Sequence, residues 1–316
     1  MVKKLSIKTA VLGACIALGS TLLAPSSGRA DGGDVSTGKE SKPVVPTEAP
    51  VTSWITGDMG DTIINKYLTR GIIAEGDGVI NQPYLDLFFK VYDGKGFINS
   101  VSGQLSFWSS INSTHEQSPP GNDLQAWYEF DWDPGVTVTF ATNFTYTVQY
   151  FEFDSPAAAF KRAQSINQTL ALNDAPYWPT SLQAFALHPH FTTLANFRGY
   201  AGETTEHAWY FEEGIAPSYT FLPKSDYPVT ITVPITAGEG TKGFYAGSNF
   251  GYVSGGPSIS VPLAFMPKQL GSWTASASYL YYFIGQATAN NSPAAAFSEN
   301  HKESQNIFSG TIGLTF

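Results

Sequence analysis

The sequence predicts an all-β chain that closes into an antiparallel transmembrane β-barrel of about twelve strands, with short periplasmic turns and longer extracellular loops. Three observations predict it. The final residues, Asn306 to Phe316, put Phe308, Ile312, Leu314 and Phe316 on one parity, the two-residue period of a strand with one apolar face. Charged residues make up 14% of the chain and aromatic residues 14%, with a mean hydropathy of −0.09, which suits strands that are apolar outside in narrow stripes and polar within. Connections between the alternating segments are by turns short and, mostly, long, as in barrels whose two ends face different compartments.

Ahead of the strands, Lys3, Lys4 and Lys8 precede an apolar stretch to Ala24, and Ser27-Gly28-Arg29-Ala30 offers small residues where a signal peptidase cuts. Residues 1–30 therefore read as a cleaved export signal. The single cysteine, Cys15, leaves with it, and the remainder needs no disulfide. Residues 31–51 are polar, rich in Pro, Gly and charge, and aperiodic. They read as a flexible periplasmic lead, with the barrel over 52–316. The first thirty residues hold four of the seventeen basic side chains and none of the twenty-six acidic ones, so the rest carries thirteen against twenty-six, a net −13. That balance disfavours a nucleic-acid partner. No run of 18 apolar residues follows the signal, so helical spans are excluded in favour of strands.

Each strand follows from its alternation. Ser53 to Arg70 sets Ile55, Met59, Ile63 and Tyr67 against Asp58, Thr62, Lys66 and Arg70, with Asp61 and Asn65 breaking the rule as at a bulge. Val79 to Tyr92 turns Leu85, Leu87, Phe89 and Val91 outward, then turns at Asp93-Gly94-Lys95-Gly96. Ile98 to Asn112 sets Val101, Leu105, Phe107 and Ile111 against Ser102, Gln104, Ser106 and Trp108. Leu124 to Asp133 is followed by a turn at Asp133-Pro134-Gly135 and a strand to Phe153. Further strands fit 181–187, 191–198, 207–221, 229–237, 250–265, 272–285 and 305–316, which completes twelve. The long connection 154–180 opens on Asp154-Ser155-Pro156, a helix-start signature, and its apolar spacing predicts a short helix that folds inward or sits on the rim. Trp127, Tyr128 and Trp132, Tyr210 and Phe211, and Tyr279 to Phe283 fall near strand ends, as an interfacial girdle requires.

Asn65 to Ile72 (NKYLTRGI) resembles the Y-x-x-R-G element that opens the TorF-like (Gcw_chp) porin family of outer-membrane β-barrels, and Leu182 to Phe197 is similar to that family's paired strands joined by a short Pro turn. The family's aromatic before the Arg is replaced here by Leu68-Thr69. The resemblance implies a barrel and a pore and supplies no substrate. The ending resembles the closing strand of an outer-membrane barrel, so Phe316 is expected to be the terminal aromatic that the barrel-assembly machinery reads.

Candidate functional residues are those turned inward: Asp58, Lys66, Arg70, Asp86, Lys90, Glu129, Asp131, Arg198 and Glu212 (or its neighbour Glu213). A twelve-stranded lumen lies between one filled by side chains and one that forms an aqueous channel. Such charges either line a narrow passage as a selectivity ring or seal it as a salt-bridged plug. The expected function is passive diffusion of small polar solutes or ions across a bacterial outer membrane, with lipid and the assembly machinery as partners. The alternatives are a plugged, structural or partner-binding barrel and, third, a barrel hydrolase. For the last, His207 beside Glu206, His301, and the His188-Pro189-His190 turn lack a recognisable nucleophile. The i, i+2 histidines lack an evident third metal ligand. No metal and no cofactor is expected.

Overall fold

The computed structural model describes residues 54–114, 118–182, 184–199, 207–241, 244–245, 248–291 and 302–316. The expected signal, the flexible lead and His301 lie outside them. In chain order, β1 (Ile55–Ile64) is followed by an inner hairpin, β2 (Tyr67–Thr69) and β3 (Ile72–Glu75), and then by β4 (Ile80–Asp93), β5 (Ile98–Asn112), β6 (Trp127–Phe140), β7 (Phe144–Asp154) and β8 (Ala163–Leu172). Next come four strands each made in two pieces: β9 and β10 (Phe185–Ala186, His190–Arg198), β11 and β12 (Trp209–Ile215, Ser218–Phe221), β13 and β14 (Val229–Thr232, Ile235–Gly240), and β15 and β16 (Phe250–Gly255, Ser258–Pro262). The unbroken β17 (Ser272–Ile284), a short helix α1 (Gln286–Asn291) and β18 (Ser304–Thr315) complete it. Taken as continuous strands these are twelve, each paired antiparallel with its neighbours around a closed ring.

Closure is made where β1 meets β18, in register from Asp58 opposite Thr315 to Ile64 opposite Ser309. Beyond the last ladder pair, Gly57 and Phe316 exchange both backbone hydrogen bonds, at 2.8 and 2.9 Å. The terminal ring lies over Gly57, where a Cβ would stand 2.4 Å from its Cζ. The outer surface is an apolar jacket that includes Met59, Ile63, Val136, Leu170, Phe191, Ile235, Val253, Ile259, Phe308 and Ile312, all exposed. A closed antiparallel barrel with such a jacket lives in a bacterial outer membrane, since closure leaves no strand edge unpaired in hydrocarbon. Inside, cross-strand hydroxyl pairs line the wall: Thr62 with Thr311 at 2.6 Å, Thr137 with Thr147 at 3.0 Å, Thr169 with Thr192 at 2.9 Å and Ser278 with Ser309 at 2.9 Å.

The four two-piece strands lie side by side, and Pro189, Pro217, Pro234 and Pro257 fall one at each break. Proline lacks a ladder donor, but its carbonyl still accepts: Leu172, Val233, Gly256 and Tyr279 donate to Pro189, Pro217, Pro234 and Pro257. The result is a crease across one side of the wall that removes donors only.

Several expected boundaries are corrected. β6 runs through Asp133-Pro134-Gly135, and the turn falls at 141–143, where Ala141 and Thr142 have φ of 46° and 72°. The expected helix in 154–180 is largely the strand β8, because Ser165, Asn167 and Thr169 alternate inward against Ile166 and Leu170. The two strands expected over 181–187 and 191–198 are one, bent at Pro189. One missed strand and one split strand cancel, so the expected number survives for a partly mistaken reason. No bulge occurs at Asp61: β1 pairs with β4 without a slip, which leaves Asp61 on the outer face beside Pro83 and Ile312. Of the expected girdle, Tyr128, Tyr210 and Tyr282 point inward instead; Tyr128 does so at the slip between Ser110 and Ile111 in the β5–β6 register.

The seam gives a matched pair of substitutions. Gly57→Val, driven into the Phe316 ring and the Asp86 carbonyl at 2.9 Å, is expected to lower stability by about 1–3 kcal/mol. Gly103→Ala, whose new methyl would meet its first neighbour at 3.8 Å, is expected to stay within about 0.5 kcal/mol of the parent. Urea unfolding in lipid vesicles, followed by tryptophan fluorescence, measures both.

Candidate functional site

After Ile64 the chain leaves the wall and turns into the barrel. Asn65 makes the exit by completing the ladder with its side chain: Oδ1 accepts from the Phe308 N–H at 2.7 Å and Nδ2 donates to the Asn306 carbonyl at 3.3 Å. β2 and β3 then form a hairpin that, among the described residues, pairs with no other strand. Every residue of both strands is buried. Its two-residue turn is Arg70-Gly71, at φ of 50° and 78°, the left-handed pair that a tight hairpin needs. Gly71 also packs where a Cβ would stand 2.6 Å from the Tyr252 ring.

The hairpin tip is held on two sides. On one, the Arg70 guanidinium lies 5.7 and 5.6 Å from the ring centres of Phe151 and Phe153 and interacts electrostatically with Glu129, Asp131 and Asp133 of β6. Tyr67 donates a hydrogen bond to Glu129 and packs on Trp108 at 5.2 Å between centroids. On the other, Tyr245 donates to the Arg70 carbonyl at 2.8 Å. Tyr245 belongs to an aromatic cluster in which Tyr210 and Tyr252 both donate to Glu212, at 2.5 and 2.8 Å. Glu75, at the hairpin's far end, accepts from Asn112 at 3.2 Å.

The wall's register places the acids in rows. Asp58 pairs with Asp86, Asp86 with Ser106, and Ser106 with Asp133. Tyr84, Trp108, Asp131 and Phe153 form the next row. Of the expected lumen residues, Asp58, Arg70, Asp86, Glu129, Asp131 and Glu212 are indeed buried inside. Glu213 points outward. Three expectations are corrected. Lys66 is half-buried at the hairpin's root and donates to Gln305 at 2.9 Å. Lys90 is exposed near the end of β4 and pairs with Asp93. Arg198 is exposed at the end of β10, past a slip in register at Asn196. Asp133, Glu75 and the tyrosine cluster were not foreseen. Continuing the 129, 131 parity through Pro134 would have found Asp133.

The histidines are also corrected. His188 and His190 occupy a strand break rather than a short turn. His188 Nε2 lies 3.0 Å from Ser218 Oγ, a pairing that no motif announced, and His190 Nε2 lies 3.6 Å from Glu212. The nearby Asp174 carboxylate is occupied elsewhere. Because β8 stops at Leu172, β9 lacks a partner there, and Asp174 stands in for it: it accepts from the Leu187 and His188 N–H groups, at 2.9 and 2.8 Å, and from the Trp178 indole at 2.6 Å. Among the described residues, no group of three or more His, Cys, Asp or Glu is placed to hold a metal ion.

No protein-family model and no curated protein sequence matches the chain. Solved structures do. An outer membrane channel from Pseudomonas putida F1 is similar at 10% identity over 87% of this chain and 100% of that one, with a TM-score of 0.44. LpxR from Salmonella typhimurium is similar at 8% identity over 82% of this chain and 100% of that one, with a TM-score of 0.42. OmpF of Salmonella typhi, in complex with daunomycin, is similar at 9% identity over 83% and 97%, with a TM-score of 0.33. These are likenesses of shape.

Burial pushes the Asp174 carboxyl up, but its hydrogen bonds from His188, Leu187 and Trp178 outweigh that and hold it below the usual 3.8. A depressed folded value means that the stabilisation is present above the unfolded value and is lost as pH falls through the folded one. Amide-exchange protection of the 184–190 segment is therefore expected to be full at pH 7 and to fall below about pH 4. In Asp174→Ala the protection is expected to be low already at pH 7.

Proposed function

We propose that this chain is a porin-like outer-membrane channel for passive diffusion of small polar solutes or ions, and that the hairpin is its closed gate. One observation carries the reading: among the described residues, β2 and β3 form a backbone ladder with each other and are part of no ladder of the wall. The gate can leave without breaking the closed backbone ladder of the wall. Beneath it the wall is lined by Gln104, Thr137, Thr147, Gln149, Thr169 and Thr192, small or neutral polar groups that suit hydrated solutes. The resemblance of Asn65–Ile72 to the TorF-like porins is consistent with this reading, and the gate's tip is that Y-x-x-R-G element. Five acids, Asp58, Asp86, Glu129, Asp131 and Asp133, share the interior with Arg70, which favours cations over anions.

A second reading, a permanently sealed structural barrel, draws on the near-complete burial of those same lumen side chains. Planar-bilayer recording separates the two. The parent is expected to show rare, brief openings. Arg70→Ala, which releases the acid ladder, and Gly71→Val, which forces a branched side chain into the Tyr252 ring, are both expected to raise open probability at least about tenfold, which is ~1.4 kcal/mol of lost latch energy. The open state is expected to be cation-selective by reversal potential. Silent membranes from correctly folded Arg70→Ala and Gly71→Val would sink the channel and leave the sealed barrel.

A further inference from the structure

The gate's tip resembles a ligand seated in a site. A guanidinium lies against two aromatic rings, Phe151 and Phe153, with carboxylates of Glu129, Asp131 and Asp133 around it. Aromatic faces and carboxylates together are what recognise an organic cation, the rings through their quadrupole and the acids through charge-assisted hydrogen bonds. The wall offers more acceptor capacity than Arg70 uses. Asp133 is 0% exposed, and beyond a backbone contact from Glu152 its carboxylate oxygens have no close hydrogen-bond partner among the described residues; Asp131 has one such oxygen. A buried carboxylate left this way is costly unless something donates to it. The register also brings Asp86 and Asp58 into the row of Asp133, so acceptors continue beyond the tip along the wall.

We infer that this acid-and-aromatic wall is a binding site for a small solute carrying a guanidinium group, and that Arg70 occupies it as an internal stand-in that such a solute displaces. This rests on the channel reading only for the solute's passage; binding itself does not need transport. Occupancy by Arg70 makes the site competent only in the fraction of molecules whose hairpin has swung away. Apparent affinity falls by that fraction, and a solute that binds there holds the gate open. Glycine at position 71 serves the same arrangement: its φ of 78° makes the turn narrow enough to place the preceding arginine at the very tip.

The test uses the full barrel refolded in detergent micelles, with butylguanidinium as probe and butylurea, its neutral isostere, as control, at constant ionic strength set with potassium chloride. Binding is read from the fluorescence of Trp108, in the row of Asp131, and the signal is assigned by its loss in Trp108→Phe. Arg70→Ala is expected to bind butylguanidinium at least about tenfold tighter than the parent, Asp133→Asn at least about tenfold weaker, and butylurea is expected not to bind. Equal affinity in parent and Arg70→Ala overturns the stand-in role. Unchanged affinity in Asp133→Asn, or butylurea binding as tightly as butylguanidinium, overturns the site, and Asp133→Asn keeps the test decisive if Arg70→Ala does not refold. Binding without any conductance in bilayers defeats the channel alone, and conductance without binding defeats this inference alone.

Discussion

In hydrocarbon no backbone N–H or C=O can turn to water, so the wall has to be a closed ladder. Nearly every feature of this molecule either keeps that ladder complete or uses what it leaves over. The β1–β18 seam and the extra Gly57–Phe316 pair close the ring. Where the ladder would fail, side chains take over: Asn65 completes the pairing of β18 as the chain turns inward, and Asp174 supplies β9 with the acceptor that the shorter β8 cannot. The proline crease obeys the same rule, for prolines remove donors while their carbonyls stay bonded to the next strand.

Once the backbone is self-sufficient, the interior is free to be decided by side chains. Among the described residues the hairpin is a two-stranded sheet of its own, in no ladder of the wall, and an isolated hairpin is at best marginally stable in water. Here it is ordered by burial of Leu68 and Ile73 and by contacts from two directions, the β6 acids and the Tyr245 hydroxyl. A latch made of a few directional contacts, set on a wall that does not depend on them, separates the stability of the barrel from the state of its lumen.

Much of the wall was legible in the residues. Parity along 79–89, Ile98–Asn112 and 305–316 separated inward from outward side chains correctly, since a closed barrel asks every strand for the same two-residue alternation; it failed at Lys90, where the β4–β5 register slips. The misreadings have one physical source each. Pro134-Gly135 carries turn chemistry, but β6 tolerates it because strand pairing on both sides outweighs local preference. Residues 163–172 carry a helix-like apolar spacing, yet the outward Gln164 and Gln168 find partners in Glu152 and Tyr146 on the neighbouring strand, contacts that spacing along one segment does not reveal.

By itself the sequence determined the architecture, the membrane it belongs in and the inward set Asp58, Asp86, Glu129, Asp131 and Glu212, because these follow from local periodicity. Only the tertiary structure decided that Arg70 leaves the wall altogether. Alternation continues through Lys66 and Arg70 as though β1 did, and nothing local distinguishes a residue lining a passage from one plugging it. That difference comes from contacts more than fifty residues away in the chain, with Glu129, Phe151 and Tyr245, and such contacts exist only once the ring has closed.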